Sequence, residues 1–469
     1  IAVVYQEEAL SYRELDNKSN QLAHYLRGEG VEPDSLVGIC LERSLEMLIG
    51  IMGILKSGAA YVPIDPGYPK ERIDYIVNDI KCSFLLSDNS TINILRSLSN
   101  VSLIALDDAL SVYHDCSKDA LKISYSTHSL SYVIYTSGST GVPKGAMIDH
   151  CGLLNHLLVM IDELQMNNES VIAFTAPFTF DISVWQLLSG LLCGGRIVIY
   201  SNQMILNIYG FQNALSYYGV THLQLVPSYL LNLLEIGSTR GLEDLHYFLI
   251  TGETATQSLL QSWFSLYPFI PVVNAYGPAE ASDDVSLYIM KEAPESSIVP
   301  IGKPIANMSL YVVDEFDNLL PIGVVGELLV SGVGVGRGYL NNPELTSAKF
   351  VSNPFIAGER IYRTGDLARW LPDGNLEFIG RGDDQVKIRG YRIELGEIES
   401  ALIELSYIRQ AVVLAQDDLS GGKRLVGYVV SQSDFDKELV QDELRLRLPD
   451  YMVPMLWVSL DAMPLTSNG

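Results

Sequence analysis

Positive charge is scarce in this chain: 31 Lys and Arg stand against 56 Asp and Glu, for a formal net charge of −25. Such an excess repels a nucleic-acid backbone and an anionic membrane face, so neither is expected as a partner. Cysteine is sparse as well. The five (Cys40, Cys82, Cys116, Cys151 and Cys193) are scattered and never in CxxC spacing. That argues against a zinc site or a disulfide framework and for reduced thiols in a cytoplasmic setting. The seven histidines include no HExxH pair. No charge-free apolar run is long enough to cross a bilayer, since residues 47–55 stop at Lys56, and no signal peptide is recognisable. An initiator methionine is missing too: the chain starts inside a strand-like run, Ile1-Ala2-Val3-Val4-Tyr5, and reads as a piece of a longer polypeptide.

Apolar side chains are abundant, at 48% of 469 residues. This suffices for several cores, and the length exceeds what one core supports, so two or more domains are expected. Ser11 with Glu14 has capping-box spacing, and Leu15, Leu22, Ala23 and Leu26 share a helical face. A short strand over 37–41 and an apolar helix over 45–55 follow, an alternation that predicts α/β layering with a largely parallel sheet. Residues 87–131 are serine-rich and weakly patterned, and read as a surface excursion. A second α/β block runs over about 150–290. Past residue 298 come short strands with Gly and Pro turns, including 309–313 and 326–330, which suggest a small barrel or curled sheet. Gly380-Arg381-Gly382-Asp383-Asp384 is a compact charged turn and the candidate hinge, with a small α+β unit after it.

The segment Tyr135-Thr136-Ser137-Gly138-Ser139-Thr140-Gly141-Val142-Pro143-Lys144-Gly145 follows an apolar, β-branched run. Its glycines free the backbone to converge N–H groups on one point, and hydroxyls and an ammonium add donors. With no acid present, it suits an anion such as a polyphosphate; the alternative is an ordinary surface loop. Pro143 before Lys144 breaks the Walker A pattern. Gly332-Val333-Gly334-Val335-Gly336-Arg337-Gly338 imitates a dinucleotide fingerprint, but the turn sequence Tyr339-Leu340-Asn341-Asn342-Pro343 follows it instead of a helix. Structural turn glycines are the better reading.

In order and spacing, these and other segments resemble one family. They include Leu10-Ser11-Tyr12-Arg13-Glu14-Leu15, residues 55–65, the phosphate loop, Phe180-Asp181-Ile182-Ser183 and Asn274-Ala275-Tyr276-Gly277-Pro278-Ala279-Glu280. Further on come Tyr362-Arg363-Thr364-Gly365-Asp366-Leu367, the run from Gly380 to Glu399, Leu448-Pro449-Asp450-Tyr451-Met452-Val453-Pro454 and the closing Ser467-Asn468-Gly469. The chain is similar to an adenylation domain of a nonribosomal peptide synthetase, within the acyl- and aryl-CoA ligase, luciferase and adenylation superfamily. Residues 385–394 favour the peptide-synthetase branch.

The resemblance implies a large α/β N-terminal domain, residues 1–382, made of two α/β subdomains and a small β-barrel. After the hinge follows a small, mobile α+β C-terminal domain, 383–469. It implies that an amino-acid carboxylate attacks the α-phosphorus of ATP·Mg²⁺, and that the aminoacyl adenylate passes to the phosphopantetheine thiol of a carrier domain. Carrier and condensation domains, and a small MbtH-like helper protein, are the implied partners. Thr136, Ser137, Gly138, Ser139, Thr140, Gly141 and Lys144 would hold the phosphates. Asn274 would meet the adenine edge, Tyr276 its ring, and Asp366 with Arg381 the ribose, with Gly277 also in the nucleotide site. Glu280 would be the magnesium carboxylate, and Arg392 would join Thr140, Lys144 and Glu280 as catalytic groups. Asp383 would be the hinge; its structural alternative is a loop carboxylate paired with Arg381 or Lys387.

Two departures stand out. Ala279 replaces the family's usual threonine, and the family's adenylate-forming lysine directly follows Asn-Gly, where this chain stops. A truncated chain is the expectation, with a naturally inactive domain as the lesser alternative.

Asp181 suits a helix N-cap, and the family uses the matching carboxylate to hold the substrate α-ammonium. The implied amino-acid pocket is Asp181, Ile182, Trp185, Gln224, Leu249, Thr251, Ala275, Asp283 and Asp284. Adjacent carboxylates in a partly apolar pocket repel unless a cation lies between them or one is protonated. The expected substrate is therefore a short basic amino acid, 2,4-diaminobutyrate first and then ornithine, with a neutral polar one as the alternative. An acyl- or aryl-CoA ligase and a non-catalytic ATP-binding scaffold are the competing functions.

Overall fold

A computed structural model describes residues 1–98, 101–108, 110–138, 141–235, 242–417, 423–432 and 435–464. The first helix, Tyr12–Gly28, starts where its capping chemistry directs. Ser11 accepts the Glu14 amide, Glu14 reaches back to the Ser11 amide, and Leu15, Leu22, Ala23 and Leu26 are buried. The next, Leu45–Ser57, ends at Gly58, whose φ of 88° needs a residue without Cβ.

Two large sheets carry the core. In one, the strands run in the order Gly338–Tyr339, Lys144–Asp149, Leu130–Thr136, Ala60–Pro63, Leu36–Ile39, Phe84–Ser87, Ser102–Ala105. Its five members from Leu130–Thr136 to Ser102–Ala105 are parallel. The other has nine strands, in the order Lys303–Pro304, Ser286–Met290, Val272–Tyr276, Tyr247–Ile250, His222–Leu225, Val171–Phe174, Arg196–Ile199, Val3–Tyr5, Glu8–Leu10. It is parallel in its middle and antiparallel at both ends. Leu22, Leu48, Met160 and Trp185 from four helices share one buried cluster with Ile39 and Phe174 from the two sheets. Each fully buried side chain of this size contributes about 1.5–3 kcal/mol.

Residues 87–131 are less of an excursion than their composition suggests. Ser102–Ala105 pairs in parallel with Phe84–Ser87 and forms the edge of the first sheet. Four residues beginning with Ser, on an edge, carry too little hydrophobic pattern to be read as a strand.

The small antiparallel sheet is built from Met308–Val313, Gly326–Gly332, Phe350–Ser352, Arg360–Trp370 and Leu376–Arg381. Bulges near Glu327 and Leu367 strengthen its twist. The C-terminal part follows: a hairpin of Gln385–Ile388 with Tyr391–Glu394, then the helix Leu395–Ile403. Three strands, Ile408–Asp417, Lys423–Ser431 and Leu456–Ser459, pack with the helix Lys437–Arg445. Its apolar side chains, from Ile388 to Val453, form a core cluster of their own. No described helix is long and apolar enough to cross a membrane.

Candidate active site

The phosphate-loop candidate is the turn of a hairpin. Leu130–Thr136 runs in and Lys144–Asp149 runs out, with Thr136 opposite Lys144. Ser139 and Thr140 lie outside the described residues. Gly336 is a structural glycine, as expected: its amide donates to the Glu280 carbonyl at 2.9 Å, and a Cβ there would stand 2.6 Å from the Met147 carbonyl oxygen. That close approach locks the Glu280 turn against the loop hairpin.

Glu280 is fully buried. Arg392 Nη1 donates to its Oε2 at 2.8 Å, the Tyr339 hydroxyl to its Oε1 at 2.7 Å, and Lys144 Nζ lies 3.9 Å away. Burial alone would raise this carboxyl, but the charges of Arg392 and Lys144 overcome it and hold the group far below the usual carboxylate range. Lys144 is pushed the other way: burial, with Arg392 adding repulsion, brings it down to about 8 despite Glu280 and Glu394.

The second cluster surrounds Asp366. Arg381 Nη1 donates to Asp366 Oδ1 at 2.7 Å, and the Tyr276 hydroxyl donates to Asp366 Oδ2. Arg381 also grips Asp383 with two hydrogen bonds of 2.6 Å. Partial burial raises the Asp383 carboxyl, but the bonds and charge of Arg381 outweigh it and set the group low. Arg381 is thus the partner of Asp383. Lys387, the other candidate, lines the same cavity as Asp181 and Asp366. It sits one strand step (i, i+2) from Gln385, on the same face of the hairpin. Motif spacing does not assign it to the site, although that alternation is a signal the sequence carries.

A cavity joins these clusters. Asp181, Thr251, Gly277, Ala279, Asp283 and Asp366 line it from the core, and Gln385, Lys387 and Arg392 from the C-terminal hairpin. Asp181 caps the helix Ile182–Cys193, accepting the Ile182 amide at 3.0 Å. Burial, reinforced by the negative charge of Asp284 and opposed by that amide, moves its carboxyl up to about 6. Asp283 rises further, from burial and then from the charges of Asp284 and Asp181.

The remaining pocket candidates are placed less directly. Ile182 and Thr251 line this cavity and a second, adjoining one, which Gln224 also lines. Thr251 Oγ1 donates to the Ala275 carbonyl at 3.0 Å. Trp185 is fully buried, and its indole donates to Gln224 Oε1 at 2.6 Å. Leu249, Ala275 and Asp284 are buried and line neither cavity. Asn274 donates through its amide to the Pro300 carbonyl at 2.8 Å.

The C-terminal part occupies donors of this candidate loop. Ser137 Oγ donates to the Arg392 carbonyl at 2.8 Å, and the Gly138 amide donates to Glu397 Oε2 at 3.2 Å. Glu397 Oε1 in turn takes Arg72 Nη1 at 2.8 Å, in an ion pair whose side chains are 4% and 1% exposed. No local pattern joins Arg72 to Glu397, so the sequence singles out neither.

Residues 1–340 match the AMP-binding enzyme family and residues 397–469 the AMP-binding enzyme C-terminal domain. Bacitracin synthase 3 of Bacillus licheniformis is 43% identical over 473 residues, covering 100% of this chain and 7% of that protein. Tyrocidine synthase 1 of Brevibacillus parabrevis is 41% identical over 479 residues, covering 100% of this chain and 42% of that protein. The chain therefore spans less than half the length of these curated relatives. Among solved structures, NpsA-ThdA, an artificially fused adenylation-PCP di-domain NRPS from Klebsiella oxytoca, superposes with a TM-score of 0.86 at 25% identity, over 98% of this chain and 90% of that one.

Proposed function

The chain belongs to the AMP-binding enzyme family, and from that premise we propose that it activates an amino acid as its aminoacyl adenylate. The product would be handed to the phosphopantetheine thiol of a carrier domain. The observation that carries this reading is the convergence of Asp181, the Asp366–Arg381 pair and the Glu280–Lys144 pair around one cavity and the loop beside it. A carboxylate for an α-ammonium, an acceptor for a ribose diol and cations for phosphate are what an aminoacyl adenylate requires. Asp181 counts against an acyl- or aryl-CoA ligase, whose acid substrate has no ammonium to offer it. Catalysis would come from positioning and charge neutralisation.

Glu280 would hold the Mg²⁺ that accompanies ATP, which would neutralise phosphate charge. Its oxygens suit a hard cation. In the arrangement described, Arg392 and the Tyr339 hydroxyl occupy those oxygens. Metal and Arg392 would thus alternate on one carboxylate, with the C-terminal part turning about Asp383 between half-reactions.

The substrate we propose is a short basic amino acid, 2,4-diaminobutyrate before ornithine. Support comes from Asp283 Oδ2 and both Asp284 carboxylate oxygens, which are buried without a hydrogen-bond partner. Amino-acid-dependent ATP–pyrophosphate exchange tests this in Asp283→Asn/Asp284→Asn. Loss of preference for the basic amino acid is expected, and an unchanged preference would remove the charge-pairing argument.

A further inference from the structure

Behind Asp283, which lines the cavity, three side chains from two distant parts of the chain meet without bonding one another. His156 belongs to the helix His150–Glu163; Asp283 and Asp284 follow the short turn Ala279–Ala281. His156 Nε2 lies 3.8 Å from Asp283 Oδ2 and 3.6 Å from Asp284 Oδ2, beyond hydrogen-bond length. The residues are 2%, 3% and 1% exposed. His156 Nε2, Asp283 Oδ2 and both Asp284 oxygens have no hydrogen-bond partner. A folded interior rarely leaves one such atom unsatisfied, and here four lie together.

The backbone is held to make this meeting. Ser282 and Asp283 both take left-handed φ, 65° and 75°, at a cost of about 1–2 kcal/mol per residue. Gly277 passes so near that a Cβ would stand 1.7 Å from the Asp283 carbonyl oxygen. Asp283 faces the cavity in company with Asp181.

We propose that His156, Asp283 and Asp284 are the acceptor set for the side-chain ammonium of the substrate, which makes His156 a specificity-determining residue; this rests on the basic-substrate reading above. An ammonium presents three N–H donors, one for each of the three side chains. One ligand atom from each of the three side chains lies within 4.8 Å of the others.

Charge argues the same way. Asp181, Asp283 and Asp284 bring three carboxylates to a region where Lys387 is the lysine in reach. A diamino acid supplies two ammonium groups, one for Asp181 and one for the acidic pair. His156 Nε2 adds a third ligand atom that has no hydrogen-bond partner of its own. An α-amino acid with an apolar side chain would leave all four atoms unsatisfied.

The test compares ATP–pyrophosphate exchange with 2,4-diaminobutyrate and with 2-aminobutyrate, the same carbon chain without the terminal ammonium. Wild type, His156→Leu and His156→Gln are measured side by side. His156→Leu is expected to lose about 10- to 100-fold in kcat/KM for 2,4-diaminobutyrate, through KM, as for a lost hydrogen bond to a charged group. Its KM for ATP and its rate with 2-aminobutyrate are expected to stay as in wild type, which a general packing defect would not allow. His156→Gln, whose amide oxygen restores an acceptor, is expected to recover most of the discrimination. A wild-type preference for the diamino acid that survives in His156→Leu overturns the inference and leaves the substrate reading standing. A wild-type preference for 2-aminobutyrate overturns the substrate reading, and the inference with it. Zinc retained stoichiometrically through dialysis by wild type but not by His156→Leu would put a metal in the ammonium's place and overturn the inference.

Discussion

Replacing Glu397 by Gln removes a carboxylate that fastens the C-terminal part to the core at two points. One is the 2.8 Å ion pair with Arg72, the other the 3.2 Å hydrogen bond from the Gly138 amide. Both charged side chains are nearly inaccessible, at 4% and 1%. Breaking a buried pair by removing one partner costs about 3–5 kcal/mol, because the remaining charge stays in a low dielectric. The cores on the two sides are separate clusters, so Arg72 can regain water by undocking, without unfolding either. At 1.36 kcal/mol per tenfold, the docked arrangement is expected to lose about two to nearly four orders of magnitude in population. Hydrogen exchange read by mass spectrometry should show faster exchange in the peptide containing Gly138 and in the hairpin from Gln385 to Glu394, at an unchanged melting temperature. Arg72→Met/Glu397→Met, which removes both charges, should restore most of the protection. Wild-type exchange at both places in Glu397→Gln would refute the reasoning.

Three further outcomes are expected. Burial, with repulsion from Arg392, depresses Lys144 to about 8, and only its charged form attracts phosphate. ATP affinity should therefore be full below that pH and fall above it, while Lys144→Arg should remove the break; a wild-type profile flat through pH 8 would count against Lys144 as a phosphate ligand. Burial and the charge of Asp284 raise Asp181 to about 6, and only its ionised form holds an ammonium. The KM for the amino acid should thus climb as pH falls through 6, and Asp181→Asn should bind weakly at every pH. Gly277→Ala drives a Cβ to 1.7 Å from the Asp283 carbonyl, so thermal unfolding should report a loss of at least the about 1–3 kcal/mol usual for overpacking; an unchanged melting temperature would show that the turn has slack.

Contiguous chemistry is legible in the amino-acid sequence. The glycine- and hydroxyl-rich loop over 136–144, the charged turn at Arg381 and the helix cap at Asp181 each declare themselves within about ten residues, because backbone geometry and side-chain chemistry there are local; the Asp366 turn is singled out by the family resemblance alone. The capping box of Ser11 and Glu14 is of the same kind. Contacts that close across the chain are not legible in this way. His156 sits among the apolar face of its helix, with Leu153, Leu157 and Met160 buried around it, so its pattern is that of a core residue. Arg72 and Glu397 meet across a separation of 325 residues. The pairing of Arg381 with Asp383 is one of two alternatives that spacing allows; the direction of the Lys387 side chain, set by strand alternation, decides between them. Asp283 and Asp284 are visible as a pair, while the histidine beside them depends on how a helix packs against a turn.

Amino-acid-dependent ATP–pyrophosphate exchange, measured across a panel of basic, neutral polar and apolar amino acids with a chain that continues natively past Gly469, bears most directly on the adenylation chemistry proposed here. Exchange is expected to require an amino acid and to be led by 2,4-diaminobutyrate, with ornithine behind it. Tight ATP binding with no exchange for any amino acid would contradict that chemistry.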